Sequence, residues 1–372
     1  MDDAKLSNVG RKVVSLKQQI SNKQSNQRIQ KQIFDLVSES FFNGSKDPIK
    51  CSKLIINDFS SCFYIENNER EVYVKIPKQN KSKNTIISHS LEDQALAKNE
   101  YESLLFLNKN WIDGDVSFVN VLGYNNNFNS IFTEKFNGKE FWELVRNSDF
   151  KKKVGFDTKV GQVPNFLEKI GKAHNSHQNN NIEEEKLFNW DPFIQKIKKL
   201  ENKLGNSLKK DISQELDKNI KLTKHIELQS FTTKTLKGFD IRNILYKNNG
   251  EIKILDPGKF KIDFRQVDIA RFLVTLRIIY WGSLGFFINL VPSIDLENSF
   301  LNNYNLDSEN HSALKFIIIK ELLRHWVTAE RVLSEKNWNI YFKIFMKNYY
   351  ITPFYTAQLN RALNDFKEST FR

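Results

Sequence analysis

The sequence predicts an α+β chain of two lobes, a small antiparallel sheet followed by a larger helical part. Three observations carry that expectation. At 372 residues the chain exceeds one average domain, and 40% hydrophobic content with 13% aromatic residues suffices for a sizeable core. From about residue 53 to residue 136 apolar residues alternate in short runs, the period of half-buried strands. Beyond residue 139 the apolar spacing becomes three and four, the period of helices.

Residues 1–40 read as a basic, polar N-terminal arm, because residues 1–34 hold seven Lys or Arg against two Asp with few apolar positions between them. Residues 41–138 form the first lobe. Its strands are "KLIINDF", "SCFYIEN" and "EVYVKIP", with "NNER" as a turn, then "VSFVNVLGY" and "SIFTEKF". A helix over 92–108, with Leu96, Leu104, Leu105 and Leu107 on or near one face, separates the third strand from the fourth. Residues 139–372 form the helical lobe. Pro164 opens a helix that repeats Phe166, Leu167, Ile170 and His174. Residues 182–222, rich in Lys and Glu and broken near Gly205, read as an inserted pair of helices. Two short strands, "NILY" and "EIKILD", flank the turn "KNNG", and helices fill 265–281 and most of 312–368.

Only Cys51 and Cys62 are present, spaced for neither a metal knuckle nor a redox pair, and the start at Met1, Asp2 and Asp3 lacks the apolar core of a secretory leader. A cytoplasmic protein is expected. The net charge of +12 suits anionic ligands, but a chain rich in Lys, Asn, Ile and Phe gains part of that charge from composition, and no stripe of Arg and aromatics points to nucleic acid. The apolar stretch 272–294 is long enough to span a bilayer. Arg277 near its middle and its two glycines instead predict a buried helix with a turn near Gly282–Gly285, a weak membrane-surface contact being the alternative.

The residues that bear chemistry match what phosphoryl transfer from ATP demands: a Lys on the phosphates, an acid on that Lys, oxygen ligands for a metal, and a group to orient the acceptor hydroxyl. Lys75 lies on the strand face opposite Val72, Val74 and Ile76, and Glu100 in the following helix could reach it. Asn243 and Asp256 offer oxygen ligands suited to Mg²⁺. The loop "DFSSCF" is small and polar enough for Ser60 or Ser61 to approach phosphate. Taken singly, each has a plainer reading: a strand Lys is usually solvated, Asn caps turns, and Asp-Pro-Gly is most often just a turn.

In this order the elements resemble the protein-kinase-like fold, specifically the aminoglycoside phosphotransferase and choline kinase family, over about residues 50–290. The strand lysine of that family corresponds to Lys75 and its helix glutamate to Glu100. Its hinge resembles "FTEKFNG" with Glu134 and Gly138, its helix ending in histidine resembles "IGKAH" with His174, and "VDIARFL" supplies Asp268 and Arg271. The resemblance implies ATP and Mg²⁺ as cofactors, with Lys75, Glu100, Ser60, Ser61 and Glu134 at the nucleotide and Asn243 and Asp256 on the metal. The substrate would be a small sugar or amino-alcohol hydroxyl, seated against residues 182–222. The family's His-Gly-Asp before the metal-binding Asn is not matched. An ungapped count from Asn243 lands on Leu236, Lys237 and Gly238; a loop shorter by two residues gives the base to Asp240. A small-molecule phosphotransferase is the first expectation and a nucleotide-binding pseudokinase acting as an interaction module the second.

Overall fold

The computed structural model describes residues 24–57, 59–78, 90–111, 113–146, 162–282 and 294–370. It is α+β, with an antiparallel sheet toward the N-terminus and a mostly helical remainder. The chain divides into two compact units: residues 1–110, 118–137 and 257–259 form the first, and residues 111–117, 138–256 and 260–372 the second.

The first unit is built on strands Ser60–Glu66 and Glu71–Pro77, a hairpin in which Cys62 faces Lys75 and Val74 faces Phe63. Ser130–Glu134 pairs with the second strand and Val121–Asn125 with Ser130–Glu134, all antiparallel. The expected strand around "KLIINDF" contracts to Ile55–Ile56, joined at the edge by Lys50–Cys51. The expected long fourth strand is divided: Val121–Asn125 lies in this sheet, whereas Val116–Phe118 belongs to a separate four-stranded sheet beside Ile252–Ile254.

Alternation then decides which side chains go to which face. Val72, Val74 and Ile76 pack with Phe63, Ile65 and Phe132 on one face. They are covered there by Ile33 and Val37 of a helix over residues 24–41, which corrects the expected polar arm. Ile29, Ile33, Leu36 and Val37 form a narrow apolar stripe, and the Gln and Lys residues around it hide the stripe from a composition count. Residues 1–23 of that arm lie outside the described residues. Helix Leu91–Asn110 turns Ala97, Glu100, Leu104 and Leu107 inward, while Leu105, expected on that face, is exposed.

In the second unit, helix Val163–Asn180 buries Phe166, Leu167, Ile170 and His174 as their spacing predicts. Gly171 on this helix lies against the backbone of helix Ile294–Leu301: an added Cβ would sit 2.0 Å from the Phe300 carbonyl oxygen. Gly171→Ala is therefore expected to push the two helices apart and cost about 2–3 kcal/mol, read as a lower midpoint of urea unfolding, since overpacking against rigid backbone has no cheap relief. An unchanged midpoint would refute the close approach.

Residues 182–222, expected as an inserted pair of helices, hold helices Asp191–Leu204 and Lys210–Thr223, broken at Gly205 with φ 50°. The first residues depart from the expectation. Ile182–Leu187 is a strand, the edge of a three-stranded sheet with Gln229–Leu236 in the centre and Phe260–Phe264 beyond. The hairpin Ile244–Tyr246 with Ile252–Ile254 forms as read from "NILY" and "EIKILD".

Helix Gln266–Gly282 covers the first part of the apolar stretch, to residue 282, with Phe272, Leu273, Val274 and Leu276 buried; residues 283–293 lie outside the described residues. Arg277, 4% exposed, is held by two 2.7 Å hydrogen bonds from Nε and Nη2 to the Glu297 carboxylate, which give its buried charge a partner. Among the described residues no helix is long and apolar enough to cross a membrane. The turn expected near Gly282–Gly285 falls mostly outside them.

Candidate active site

In the first unit Lys75 and Glu100 meet. The Lys75 Nζ donates to Glu100 Oε1 at 2.6 Å, with side chains 18% and 6% exposed. The strand supplies the lysine from the face opposite Val74 and Ile76, and the helix supplies the acid from its inward stripe. Glu102, a rival two residues on, is exposed and lies 3.9 Å from Lys98 instead. The two serines are placed otherwise than expected. Ser60 and Ser61 begin strand Ser60–Glu66 rather than a loop, and Ser61 is fully buried, so its hydroxyl is closed to a ligand. Glu134 ends its strand exposed and accepts from Asn120 Nδ2 at 2.9 Å.

In the second unit a loop between strand Gln229–Leu236 and the hairpin carries the remaining residues. Its entry is clamped: Leu236 N donates to Asp268 Oδ2 at 2.9 Å, and Arg271 Nη1 donates to the Leu236 carbonyl at 2.9 Å. His174 reinforces the clamp, with Nε2 3.2 Å from Asp268 Oδ2, Nδ1 2.6 Å from the Tyr304 hydroxyl, and its ring stacked on Phe239 at 4.1 Å. His174 and Asp268 are both fully buried, so they shape the loop rather than meet a ligand.

Asn243 closes the turn. Its Nδ2 donates to the Gly238 carbonyl at 2.9 Å and, at 3.4 Å, to that of Asp256. This orientation spends the amide's donors on backbone and leaves Oδ1 as the acceptor that could join Asp256 on a cation. Among the described residues no cluster of three His, Cys, Asp or Glu side chains could hold a metal by itself. One amide oxygen and one carboxylate fit Mg²⁺, which usually takes a few protein ligands and completes its shell with water and phosphate.

Asp240 is 8% exposed and caps the short turn Ile241–Asn243, accepting from the Arg242 backbone N–H at 3.0 Å. The Arg242 guanidinium also donates to it, Nε to Oδ1 at 2.8 Å and Nη2 to Oδ2. Burial alone would raise the Asp240 carboxyl, but the Arg242 hydrogen bonds and charge outweigh it and hold the group below the usual carboxylate range.

A cavity of about 520 Å³ opens beside this loop, lined by Gly238, Asp240, Asn243 and residues of two helices. Lys196, Lys199, Leu200 and Lys203 come from helix Asp191–Leu204, which therefore borders the loop. Lys320, Glu321 and Arg324 come from helix Ser308–Glu335. Sequence reading missed these residues. The signal was present in "KIKKLENK", whose Lys196, Lys199 and Lys203 recur at three and four residues, but nothing local says what that face meets.

No family model matches the sequence, and no curated protein matches it. Solved structures do. Choline kinase LicA from Streptococcus pneumoniae is 12% identical and superposes with a TM-score of 0.50 over 92% of this chain and 99% of its own. A provisionally named aminoglycoside phosphotransferase from Ralstonia eutropha is 9% identical, with a TM-score of 0.53 over 91% of this chain and 97% of its own. The antiparallel sheet, helix Leu91–Asn110 and the helical remainder agree with superposition over most of the chain: it has the protein-kinase-like fold seen in choline kinase and aminoglycoside phosphotransferase structures.

Proposed function

We propose that the protein is an ATP- and Mg²⁺-dependent phosphotransferase acting on the hydroxyl of a small molecule. The observation that carries this reading is the half-buried Lys75–Glu100 pair, which holds a cation on a sheet face where it can take nucleotide phosphates. Names of structures with the same fold, choline kinase and aminoglycoside phosphotransferase, support the class of reaction. Asn243 and Asp256 would hold Mg²⁺, which when bound supplies charge neutralisation for the phosphates. In the transfer the acceptor oxygen bonds to the γ-phosphorus, the bond from that phosphorus to the bridging oxygen breaks, ADP leaves with the electron pair, and Asp240 takes the hydroxyl proton.

A second reading is favoured by Asp240 itself. A carboxylate engaged by Arg242 is a weak base, and a glycine at 238 offers no other, so a protein that binds nucleotide without transferring phosphate is the alternative. The two are separated by measuring Mg²⁺-ATP binding by thermal shift beside ADP release over neutral, cationic and anionic hydroxyl compounds. Acceptor-dependent ADP release is expected; binding with no release above the acceptor-free rate would establish the alternative, and no binding would remove both.

A further inference from the structure

The cavity beside the catalytic loop is strongly cationic. Eight Lys or Arg side chains line it against two acids, Asp240 and Glu321. Across the chain the balance is 56 to 44, so the fourfold excess here is not the composition repeated. Both acids are already engaged. Asp240 is bound by Arg242, and Glu321, 1% exposed, accepts from Lys320 Nζ at 2.5 Å and from Arg324 Nε at 2.6 Å. Burial would raise the Glu321 carboxyl, but these cations pull it down to about 2, so it stays an anion already matched.

Arg271 donates to the Leu236 carbonyl and acts on Glu321; the remaining cations are Lys196, Lys199, Lys203 and Lys237, none with an acid within salt-bridge distance among the described residues. Their neighbour Lys198, on another face of the same helix, is by contrast held by Glu201 at 2.9 Å and by Asp217. The helix therefore sends its matched lysine away from the cavity and its unmatched ones toward it.

Within the phosphotransferase reading, on which this inference rests, we propose that the acceptor is a small anionic hydroxyl compound, a sugar phosphate or sugar acid. Its phosphate or carboxylate lies on Lys196, Lys199, Lys203 and Lys237, with the free hydroxyl toward Asp240. The cavity volume falls in the range of small-ligand sites, roughly 300–1,000 Å³. A positively charged acceptor would meet four unmatched lysines and lose, whereas an anion replaces the missing counter-charge. The transfer itself is unchanged: the hydroxyl oxygen bonds to the γ-phosphorus, ADP leaves, and the proton passes to Asp240. Of the two candidate metal ligands, Asn243 lines this cavity and Asp256 does not.

The test compares glucose 6-phosphate, gluconate, glucose and choline, both as acceptors and as ligands in titration calorimetry. Wild type is expected to bind one or both anions, to bind neither glucose nor choline, and to release ADP with the anion it binds. The triple variant Lys196→Gln, Lys199→Gln, Lys203→Gln changes only exposed side chains. It is expected to weaken anion binding about tenfold or more while Mg²⁺-ATP affinity changes less than about twofold, and the wild-type affinity should fall as salt is raised. Phosphate-only or carboxylate-only binding tells which anion the site takes. Anion binding lost in the triple variant without ADP release would keep the site and sink the phosphotransferase reading. Equal binding of choline, no anion binding, or a triple variant that loses ATP as strongly as the anion would overturn the proposal.

Discussion

Asp240→Asn is expected to lower phosphoryl transfer by about a hundredfold to ten-thousandfold while leaving Mg²⁺-ATP binding nearly intact, since a positioned base acts on the rate and not on nucleotide affinity. The asparagine keeps an acceptor for the Arg242 N–H, so the turn Ile241–Asn243 should survive. Because Arg242 holds the carboxylate below its usual range, the folded protein keeps it ionised to lower pH than a free aspartate. Transfer should then show no acid limb from this group between about pH 5 and 7, and one only below the ordinary carboxylate range. Arg242→Ala should move that limb upward. The glycine alternative predicts otherwise: only slow wild-type ATP hydrolysis, no change in Asp240→Asn, and a gain of transfer in Gly238→Asp. Robust transfer that survives Asp240→Asn would exclude Asp240, and the base would have to come from elsewhere in the chain.

Lys75→Ala should remove most of the rise in melting temperature that Mg²⁺-ATP gives the wild type. A ligand present at about a hundred times its Kd stabilises by about 2.7 kcal/mol, and that gain disappears when the phosphates lose their cation. The substitution also has a cost without ligand, because Glu100, 5% exposed, keeps its charge without the lysine that lies 2.6 Å away. Breaking a buried pair from one side costs about 3–5 kcal/mol. The double variant Lys75→Ala, Glu100→Gln separates the effects: it should recover much of the ligand-free stability and none of the ATP shift. A full shift in either variant would take Lys75 out of nucleotide binding.

The sheet of the first unit was legible because alternation is local. "EVYVKIP" sends Val72, Val74 and Ile76 one way and Lys75 the other whatever the rest of the chain does, and the inward stripe of the next helix carries Glu100. The same holds for Phe166, Leu167, Ile170 and His174 at helical spacing, and for Asn243 and Asp256 flanking a hairpin. The three-stranded sheet was not legible. Its central strand reads "QSFTTKTL", and Thr232, Thr233 and Thr235 are buried not by apolar character but by hydroxyl bonds to the carbonyls of Glu184, Asn181 and Lys261. Partners up to about fifty residues away leave no mark in a local window.

The sequence by itself determined the two-part α+β order, the opposed faces of strand Glu71–Pro77 and the candidates Lys75, Glu100, Asn243 and Asp256, because each follows from a period or from neighbours a few residues apart. Only the tertiary structure decided that residues 24–41 cover the sheet, that Ser61 is sealed in a strand, that Asp240 is matched by Arg242, and that three lysines of helix Asp191–Leu204 border the loop of Asp240 and Asn243. Those outcomes depend on which faces are brought together and which charges find partners, and both are settled by packing between elements distant in sequence.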